Sequence, residues 1–194
     1  MNSPGNGVLR LFIAVDLSDK QKHEVLNMQH RASEYLEGIK WVKPEGMHLT
    51  LKFIGETEEH KITEIKSAMD KAFMNYEPIE TVFGGCGVFP NLSRARIFWV
   101  DVSRGKEALN RLASSIDSEL ILYGFEPEKR DYRPHLTIGR ARYPLPDKLV
   151  KIFLEQEEYF ESPPNNICEV ILYQSRLTKH GAVYNRLYSS QLGE

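Results

Sequence analysis

Two short motifs each occur twice in this chain, at almost the same spacing. Val15-Asp16-Leu17-Ser18 is matched by Val100-Asp101-Val102-Ser103, 85 residues later, and His48-Leu49-Thr50-Leu51 is matched by His135-Leu136-Thr137-Ile138, 87 residues later. Because two separate motifs share nearly one offset, they predict a duplicated unit of about half the chain. We therefore expect a single bilobal domain over residues 1–194, with related halves that carry H-L-T motifs at 48–50 and 135–137.

Hydrophobic periodicity indicates that each copy begins with a strand followed by a helix. The segments 11–18 and 97–103 are typical of buried strands. Apolar residues at a spacing near 3.6 follow each of them and predict two helices, with stripes at Val25, Met28, Ala32 and Tyr35 and at Leu109, Leu112, Ile116 and Leu120.

A third helix is predicted after the first H-L-T motif, with its stripe at Ile62, Ile65, Met69 and Ala72. Ser18 and Thr57 are the expected helix N-caps, because their hydroxyls can accept from free backbone N–H groups. Further strands are predicted over 80–88, 167–177 and 183–190, with a turn at 179–182. The predicted class is α+β, with an antiparallel sheet and helices in each lobe.

Composition excludes several classes of protein. The chain is 41% hydrophobic and 27% charged, with a net charge of −2, so it lacks the positive excess of most duplex-DNA or membrane-surface binders. Its longest nearly apolar run, Val8 to Val15, is far shorter than the roughly 20 residues of a membrane span. The N-terminal residues show no secretory signal, which predicts a cytoplasmic protein. Cys86 and Cys168 form no CxxC pair, so neither a disulfide framework nor a thiolate zinc site is expected.

The repeated H-L-T motif predicts a polar site on two rigid strands. Side chains alternate along a strand, so His48 and Thr50 lie on one face, about 7 Å apart, while Leu49 faces the core. His135 and Thr137 repeat this arrangement. If the lobes pack around an approximate two-fold axis, the four polar side chains meet in one central cleft.

With their flanking residues, these motifs resemble a known family, the two-histidine phosphoesterases, and within it the RNA 2′,3′-cyclic phosphodiesterases also called 2′-5′ RNA ligases. The resemblance rests on residues 10–16, 48–55, 133–140 and 172–175 and covers nearly the whole chain. It implies a bilobal α+β fold with a pseudo-two-fold axis and a central active-site cleft. It also implies hydrolysis of an RNA 2′,3′-cyclic phosphate end to a 2′-phosphomonoester, without a metal or other cofactor.

The resemblance assigns a role to each motif residue. His48 is the general acid that protonates the leaving 3′-oxygen, and His135 is the general base that activates water. Thr50 and Thr137 would hold the phosphate, and Arg133 would either add a charge-assisted contact or be a solvated surface cation. Histidine suits both proton transfers because its unperturbed pKa is about 6.5. Arg133, two residues from His135, would also favour the neutral imidazole if the two side chains approach each other.

Substrate contacts beyond the phosphate are less fully specified by the sequence. Phe53 holds the aromatic position of the family's H-x-T-x-x-F pattern and could stack on a base. Strict strand alternation instead places Phe53 in the core, which is the prediction unless a bulge intervenes. A basic patch beside the second motif could receive the RNA backbone; its residues are Lys129, Arg130, Arg133, Arg140 and Arg142.

Three alternatives remain open at this point. A metal-dependent phosphodiesterase is disfavoured, because the chain has no HxxxE, HxH or clustered-Asp signature. The same acid and base could run the reaction backwards and join RNA ends through a 2′-5′ linkage. The protein could also be a noncatalytic module whose motifs bind an RNA end. The expected partner is RNA with a 2′,3′-cyclic phosphate terminus, including tRNA fragments or small cyclic nucleotides, and the protein is expected to be a monomer that does not bind membranes.

Overall fold

A computed structural model describes residues 7–179 and 181–193 of the chain. Its strands are β1 (Val8–Asp16), β2 (Ile39–Trp41), β3 (His48–Glu58), β4 (Ile79–Phe89), β5 (Ile97–Arg104), β6 (His135–Ala141), β7 (Asn165–Ile167), β8 (Glu169–Thr178) and β9 (Gly181–Gln191). Its helices are α1 (Asp19–Ser33), α2 (Ile62–Phe73), α3 (Lys106–Leu122) and α4 (Asp147–Gln156).

The strands form two antiparallel sheets, which confirms the predicted α+β class. The first sheet has the order β3-β1-β8-β9, and the second has the order β2-β6-β5-β4-β7. The first H-L-T motif begins β3, which pairs with β1, and the second begins β6, which pairs with β5. The repeated motifs therefore occupy equivalent strand pairs in two different sheets.

The helix after each repeated strand packs against the other sheet. On α1, the Gln29 side-chain amide donates to the carbonyl oxygens of Val42 and Ile138, both at 2.9 Å. On α3, Asp117 forms an ion pair with Lys52 of β3. Each half of the sequence therefore contributes to the packing of both sheets. The sequence repeat does not indicate that each helix packs on the sheet of the other half.

Helix α1 begins as predicted, but α2 does not. The Ser18 hydroxyl accepts from the Gln21 backbone N–H, and the Gln21 side chain accepts from the Ser18 backbone N–H, which makes a capping box. The prediction that Thr57 is an N-cap was wrong, because β3 continues through it and pairs Thr57 with Leu9. Helix α2 begins at Ile62, after a short 3-10 turn.

The predicted turn at 179–182 is too long, because Gly181 and Ala182 belong to β9 and pair with Thr178 and Leu177 of β8. His180 lies outside the described residues, and so do residues 1–6 of the N-terminal segment considered above. Within the described ranges, no helix combines the length and apolar character needed to cross a bilayer.

Candidate active site

The two H-L-T motifs have the same neighbours across their strand pairs. His48 lies opposite Asp16 of β1, and His135 lies opposite Asp101 of β5. Directly opposed residues on antiparallel strands share a face of the sheet. Each histidine therefore shares its face with an aspartate at an equivalent position, and we call this face of each sheet the histidine face.

Both strands carry a bulge at the same position in the motif. The register of β3 skips Leu51, and the register of β6 skips Ile138. A bulge inserts one extra residue and reverses the side-chain alternation beyond it. Without the bulge, the residue five positions after each histidine would face the core. With it, Phe53 and Arg140 lie on the histidine face.

The bulge overturns the prediction that Phe53 packs in the core. Phe53 is 65% exposed. Its ring lies 6.0 Å from that of Phe12, between centroids, and Phe12 in turn lies 4.7 Å from the His48 ring. Phe53 is thus an accessible aromatic surface, separated from the His48 imidazole by a single ring.

His48 sits among aromatic rings. The ring centroids of Phe12, Tyr184 and Tyr173 lie 4.7, 4.8 and 5.8 Å from its own. This apolar enclosure disfavours the charged imidazolium and lowers the pKa of His48 to about 4, against the opposing attraction of Asp16. His48 is therefore neutral at pH 7 in the free protein.

The lowered pKa of His48 makes stability depend on pH. The unfolded chain binds a proton at this residue below about pH 6.5, while the folded chain binds it only below about pH 4, so stability is lost as the pH falls through this window. We expect the loss to be at most about 3 kcal/mol. The measurement is urea unfolding at pH 7 and pH 4.5 for the parent and for His48→Gln, together with an NMR titration of the ring.

His48→Gln serves as the control. Its stability should not show the loss that comes from protonation of His48, while all other groups titrate as before. A ring pKa of 6 or above for His48 in the free protein would contradict the account.

His135 is held differently, by a backbone carbonyl. Its Nδ1 lies 2.7 Å from the carbonyl oxygen of Arg133. Since a carbonyl oxygen can only accept, Nδ1 carries the hydrogen, and the neutral ring has its lone pair on Nε2. This tautomer leaves Nε2 ready to accept a proton from a ligand on the histidine face.

Arg133 contacts His135 through its backbone, because its carbonyl oxygen accepts from the ring Nδ1. Arg133 precedes β6, which begins at His135, so strand alternation does not place the two side chains on one face. The Arg133 guanidinium is exposed and forms no hydrogen bond or ion pair with the described residues. That guanidinium is free to contact an anionic ligand.

The two motif threonines also have free hydroxyls. Thr50 and Thr137 are each half-buried, and neither hydroxyl has a hydrogen-bond partner within residues 7–179 and 181–193. Neither hydroxyl is among the buried polar atoms without a partner, so both are open to water or to a ligand. Two unpaired donors on the histidine faces match the need of a phosphoryl group for hydrogen bonds to its oxygens.

A polar cluster ties the segment before His135 to β3. The Lys52 ammonium contacts the Asp117 carboxylate and donates to the Glu126 carbonyl oxygen at 3.2 Å, and the same carboxylate accepts from the Glu128 N–H at 3.1 Å. The Tyr132 hydroxyl donates to the Thr50 carbonyl oxygen at 2.9 Å, and burial raises its pKa. These bonds connect the strand of the first histidine to the chain that leads into the second.

Sequence reasoning missed this cluster, although Lys52 offered a signal. It is a lone cation within an apolar strand, and a buried lysine almost always has a partner. Lys52 is 6% exposed. Its counterpart in β6 is Gly139, where an added Cβ would lie 2.7 Å from Ile39, so the duplicated position cannot hold a lysine there.

Lys52→Met is expected to lower the free energy of unfolding by about 2–4 kcal/mol, because it leaves the Asp117 carboxylate without its cation. The double variant Lys52→Met/Asp117→Asn should recover part of this loss, since no lone charge remains. Urea unfolding measures both, with Lys151→Met on the exposed side of α4 as the matched control. A single variant as stable as the control would contradict the buried ion pair.

The predicted basic patch is divided among different surfaces. Lys129 and Arg130 line a groove of about 590 Å³ beside Phe53. Four glutamates line the same groove, so it carries no positive excess; they are Glu56, Glu58, Glu126 and Glu128. Arg140 lies on the histidine face instead, and the guanidinium of Arg142 lies 5.3 Å from the Tyr143 ring centroid.

Metal-ligating side chains are not clustered in the described part of the chain. Within it, no group of three or more His, Cys, Asp or Glu side chains could hold a metal ion. The arrangement offers imidazoles, hydroxyls and guanidinium groups as its reactive and binding groups.

Comparisons with known proteins find a matching family model and relatives over most of the chain. Residues 26–176 match the family model of the 2′-5′ RNA ligase superfamily. A protein of Methanothermobacter thermautotrophicus named RNA 2′,3′-cyclic phosphodiesterase is 37% identical over 177 residues, covering 91% of this chain and 95% of its own. A protein of Thermotoga maritima with the same name is 32% identical over 185 residues, covering 94% and 95%.

Solved structures share the fold. A protein of Thermus thermophilus superposes with a TM-score of 0.79 at 23% identity, covering 95% of this chain and 98% of its own. Escherichia coli LigT in complex with 3′-AMP superposes with a TM-score of 0.73 at 21% identity, covering 97% and 100%. These likenesses confirm the α+β fold and are consistent with two related lobes.

Proposed function

The chain belongs to the 2′-5′ RNA ligase superfamily, and we propose that it hydrolyses RNA 2′,3′-cyclic phosphate ends to 2′-phosphomonoesters. The observation that carries the proposal is the matched pair of strands, each with one histidine and one unpaired threonine hydroxyl on the same face. Relatives at up to 37% identity over most of the chain are named RNA 2′,3′-cyclic phosphodiesterase.

Two proton transfers accompany the hydrolysis. Nε2 of His135 takes a proton from water as the water oxygen bonds to phosphorus. The bond between phosphorus and the ribose 3′-oxygen breaks, and His48 gives its proton to that oxygen. The product keeps the phosphate on the 2′-oxygen, and the two histidines exchange protonation states, which solvent then restores.

Hydroxyl and guanidinium groups stabilise the transition state in this proposal. The Thr50 and Thr137 hydroxyls donate to the nonbridging phosphoryl oxygens, where negative charge develops. The exposed Arg133 guanidinium adds a charge-assisted hydrogen bond. Phe53, accessible on the same face as His48, offers a ring on which the terminal base stacks.

The role of His48 as proton donor requires its pKa to rise when substrate binds. In the free protein the pKa is about 4, so only about one molecule in a thousand carries the proton at pH 7. The phosphodiester is an anion, and an anion beside the ring favours the imidazolium. A ring whose pKa is raised in this way carries the proton at neutral pH and can donate it to the leaving oxygen.

We further infer that residues 1–194 form one bilobal domain that acts as a cytoplasmic monomer. In support, a single cluster of buried side chains includes residues from both sheets, among them Leu49 and Leu136. The expected partners are RNA ends with a 2′,3′-cyclic phosphate, including tRNA fragments and small cyclic nucleotides.

The test is incubation of an RNA ending in a 2′,3′-cyclic phosphate with the protein in the presence of a chelator, followed by identification of the product. We expect turnover to a 2′-phosphate. Turnover that is lost with chelator and restored by a metal would establish the metal-dependent alternative. Binding without turnover would establish a noncatalytic RNA-end binder, and joined products with a 5′-hydroxyl RNA would establish ligation.

A further inference from the structure

The aspartate opposite each histidine has a different partner in each sheet. Asp16 of β1 accepts a hydrogen bond from the Tyr173 hydroxyl of β8 at 2.7 Å. Asp101 of β5 accepts from the ammonium of Lys106, the first residue of α3, at 2.9 and 2.8 Å to its two oxygens. The repeated V-D motif therefore supplies two equivalent carboxylates, of which one is bonded to a hydroxyl and the other to a cation.

The charge of Asp16 is not compensated by a bonded cation. In the described part of the chain, no lysine or arginine lies within ion-pair distance of its carboxylate. Burial and the bond to Asp16 raise the pKa of Tyr173, so the hydroxyl stays neutral and remains the donor. Arg186 lies opposite Tyr173 but is paired with Glu169 at 2.5 Å. Asp16 therefore keeps its negative charge on the face that it shares with His48.

His48 is exposed to this charge because no hydrogen bond holds its ring. Neither ring nitrogen has a partner among the residues that the structure describes. Burial lowers the pKa of His48, the Asp16 carboxylate raises it, and the Lys22 ammonium on α1 lowers it. The other neighbours of the ring are the aromatic side chains described above, which are uncharged. Asp16 is thus the neighbour that favours the imidazolium.

His135 lies in a different electrostatic setting. Its Nδ1 already donates to the Arg133 carbonyl oxygen, and the charge of the opposed Asp101 is compensated by Lys106. The other charged side chains beside the second motif are those of Arg133 and Arg140, which are exposed cations. A positive neighbour disfavours the imidazolium, so these surroundings favour a neutral ring.

We propose that Asp16 is a positioning residue that selects His48 as the proton donor. Lys106 has the complementary role, because it cancels the charge of Asp101 and so leaves His135 as the proton acceptor. The inference rests on the proposed function, since the two roles that it separates belong to that reaction. Duplication places a carboxylate opposite both histidines, yet the reaction needs one charged and one neutral imidazole. The unequal partners of the two aspartates supply that difference.

Asp16→Asn should move the falling limb of kcat at high pH, which reports loss of the proton from the acid, to lower pH by about one unit. At pH 7 kcat should fall by up to about tenfold, and the loss relative to the parent should shrink as the pH is lowered. Asparagine keeps the size of the side chain and can still accept from the Tyr173 hydroxyl. Tyr173→Phe leaves the carboxylate in place but releases it, so the same limb should move by a smaller amount.

Lys106→Met should move the rising limb at low pH, which reports the base, to higher pH by about one unit, because Asp101 is then uncompensated beside His135. Lys106→Met/Asp101→Asn removes both charges and should return this limb to the parent position. Asp147→Asn and Lys151→Met are the matched controls, since both residues are exposed on α4 and lie in neither strand pair. Both limbs should stay in place in the controls.

A falling limb that stays in place in Asp16→Asn would overturn the role of Asp16, as would an equal loss of kcat at every pH. If Asp16→Asn does not fold, Tyr173→Phe carries the same test. A double variant that fails to restore the rising limb would overturn the role of Lys106.

If the parent turns over no cyclic phosphate, the proposed function fails, and an NMR titration of the His48 ring in the presence of sulfate tests the inference separately. The ring pKa must then be lower in Asp16→Asn than in the parent, and equal values would overturn the inference.

Discussion

His135→Ala and His48→Ala should each lower kcat on a 2′,3′-cyclic phosphate substrate by about 10²- to 10⁴-fold, the usual contribution of one general acid or base. Each substitution removes one of the two proton transfers and leaves the threonine hydroxyls and Arg133 in place. Substrate binding should therefore survive. Steady-state kinetics gives kcat, and equilibrium binding of an uncleavable oligonucleotide gives the affinity.

His23→Ala is the matched control for both substitutions. His23 is an exposed histidine on α1, outside both strand pairs, so its replacement should leave kcat within about twofold of the parent. Equal losses of binding and rate in the His48 and His135 variants would favour a noncatalytic RNA-end binder. A rate that survives either substitution would remove that histidine from the mechanism.

Thr50→Val and Thr137→Val should each lower kcat by about 10²- to 10³-fold, the cost of losing one donor to developing negative charge. Valine keeps the size and branching of threonine, so the strand and its packing are preserved. Thr50→Ser and Thr137→Ser retain the hydroxyl and should retain most of the rate. This comparison separates the hydrogen bond from the shape of the side chain.

Thr63→Val provides the control, since Thr63 is exposed on α2 and away from both motifs. Its rate should match the parent. If the two motif valine variants raise KM while kcat is unchanged, then the hydroxyls bind substrate and transition state equally, and the assignment of transition-state stabilisation is wrong.

Much of the fold was accessible from the sequence because the repeat has a direct structural counterpart. Both V-D strands and both H-L-T strands form, and His48 and His135 occupy equivalent positions. The exchange of helices between sheets could not be predicted. It depends on contacts such as that between Gln29 and Ile138, whose partners are 109 residues apart in the chain.

The bulge explains why part of the site was beyond sequence reasoning. Period-two alternation put Phe53 in the core, and one extra residue at Leu51 returns it to the surface. The partners of Asp16 and Asp101, a tyrosine and a lysine, lie at positions that the repeat does not relate. Likewise, the partner of Lys52 is Asp117, on a helix that the repeat assigns to the other half.

The most direct test of the acid and base assignment replaces the leaving 3′-oxygen of the cyclic phosphate with sulfur. A thiolate leaves without needing a proton, so a variant that lacks only the general acid should recover on this substrate. We predict that His48→Ala regains most of its lost rate relative to the parent, while His135→Ala does not. Recovery of His135→Ala alone would exchange the two roles, and recovery of neither would contradict proton donation to the leaving group by either histidine.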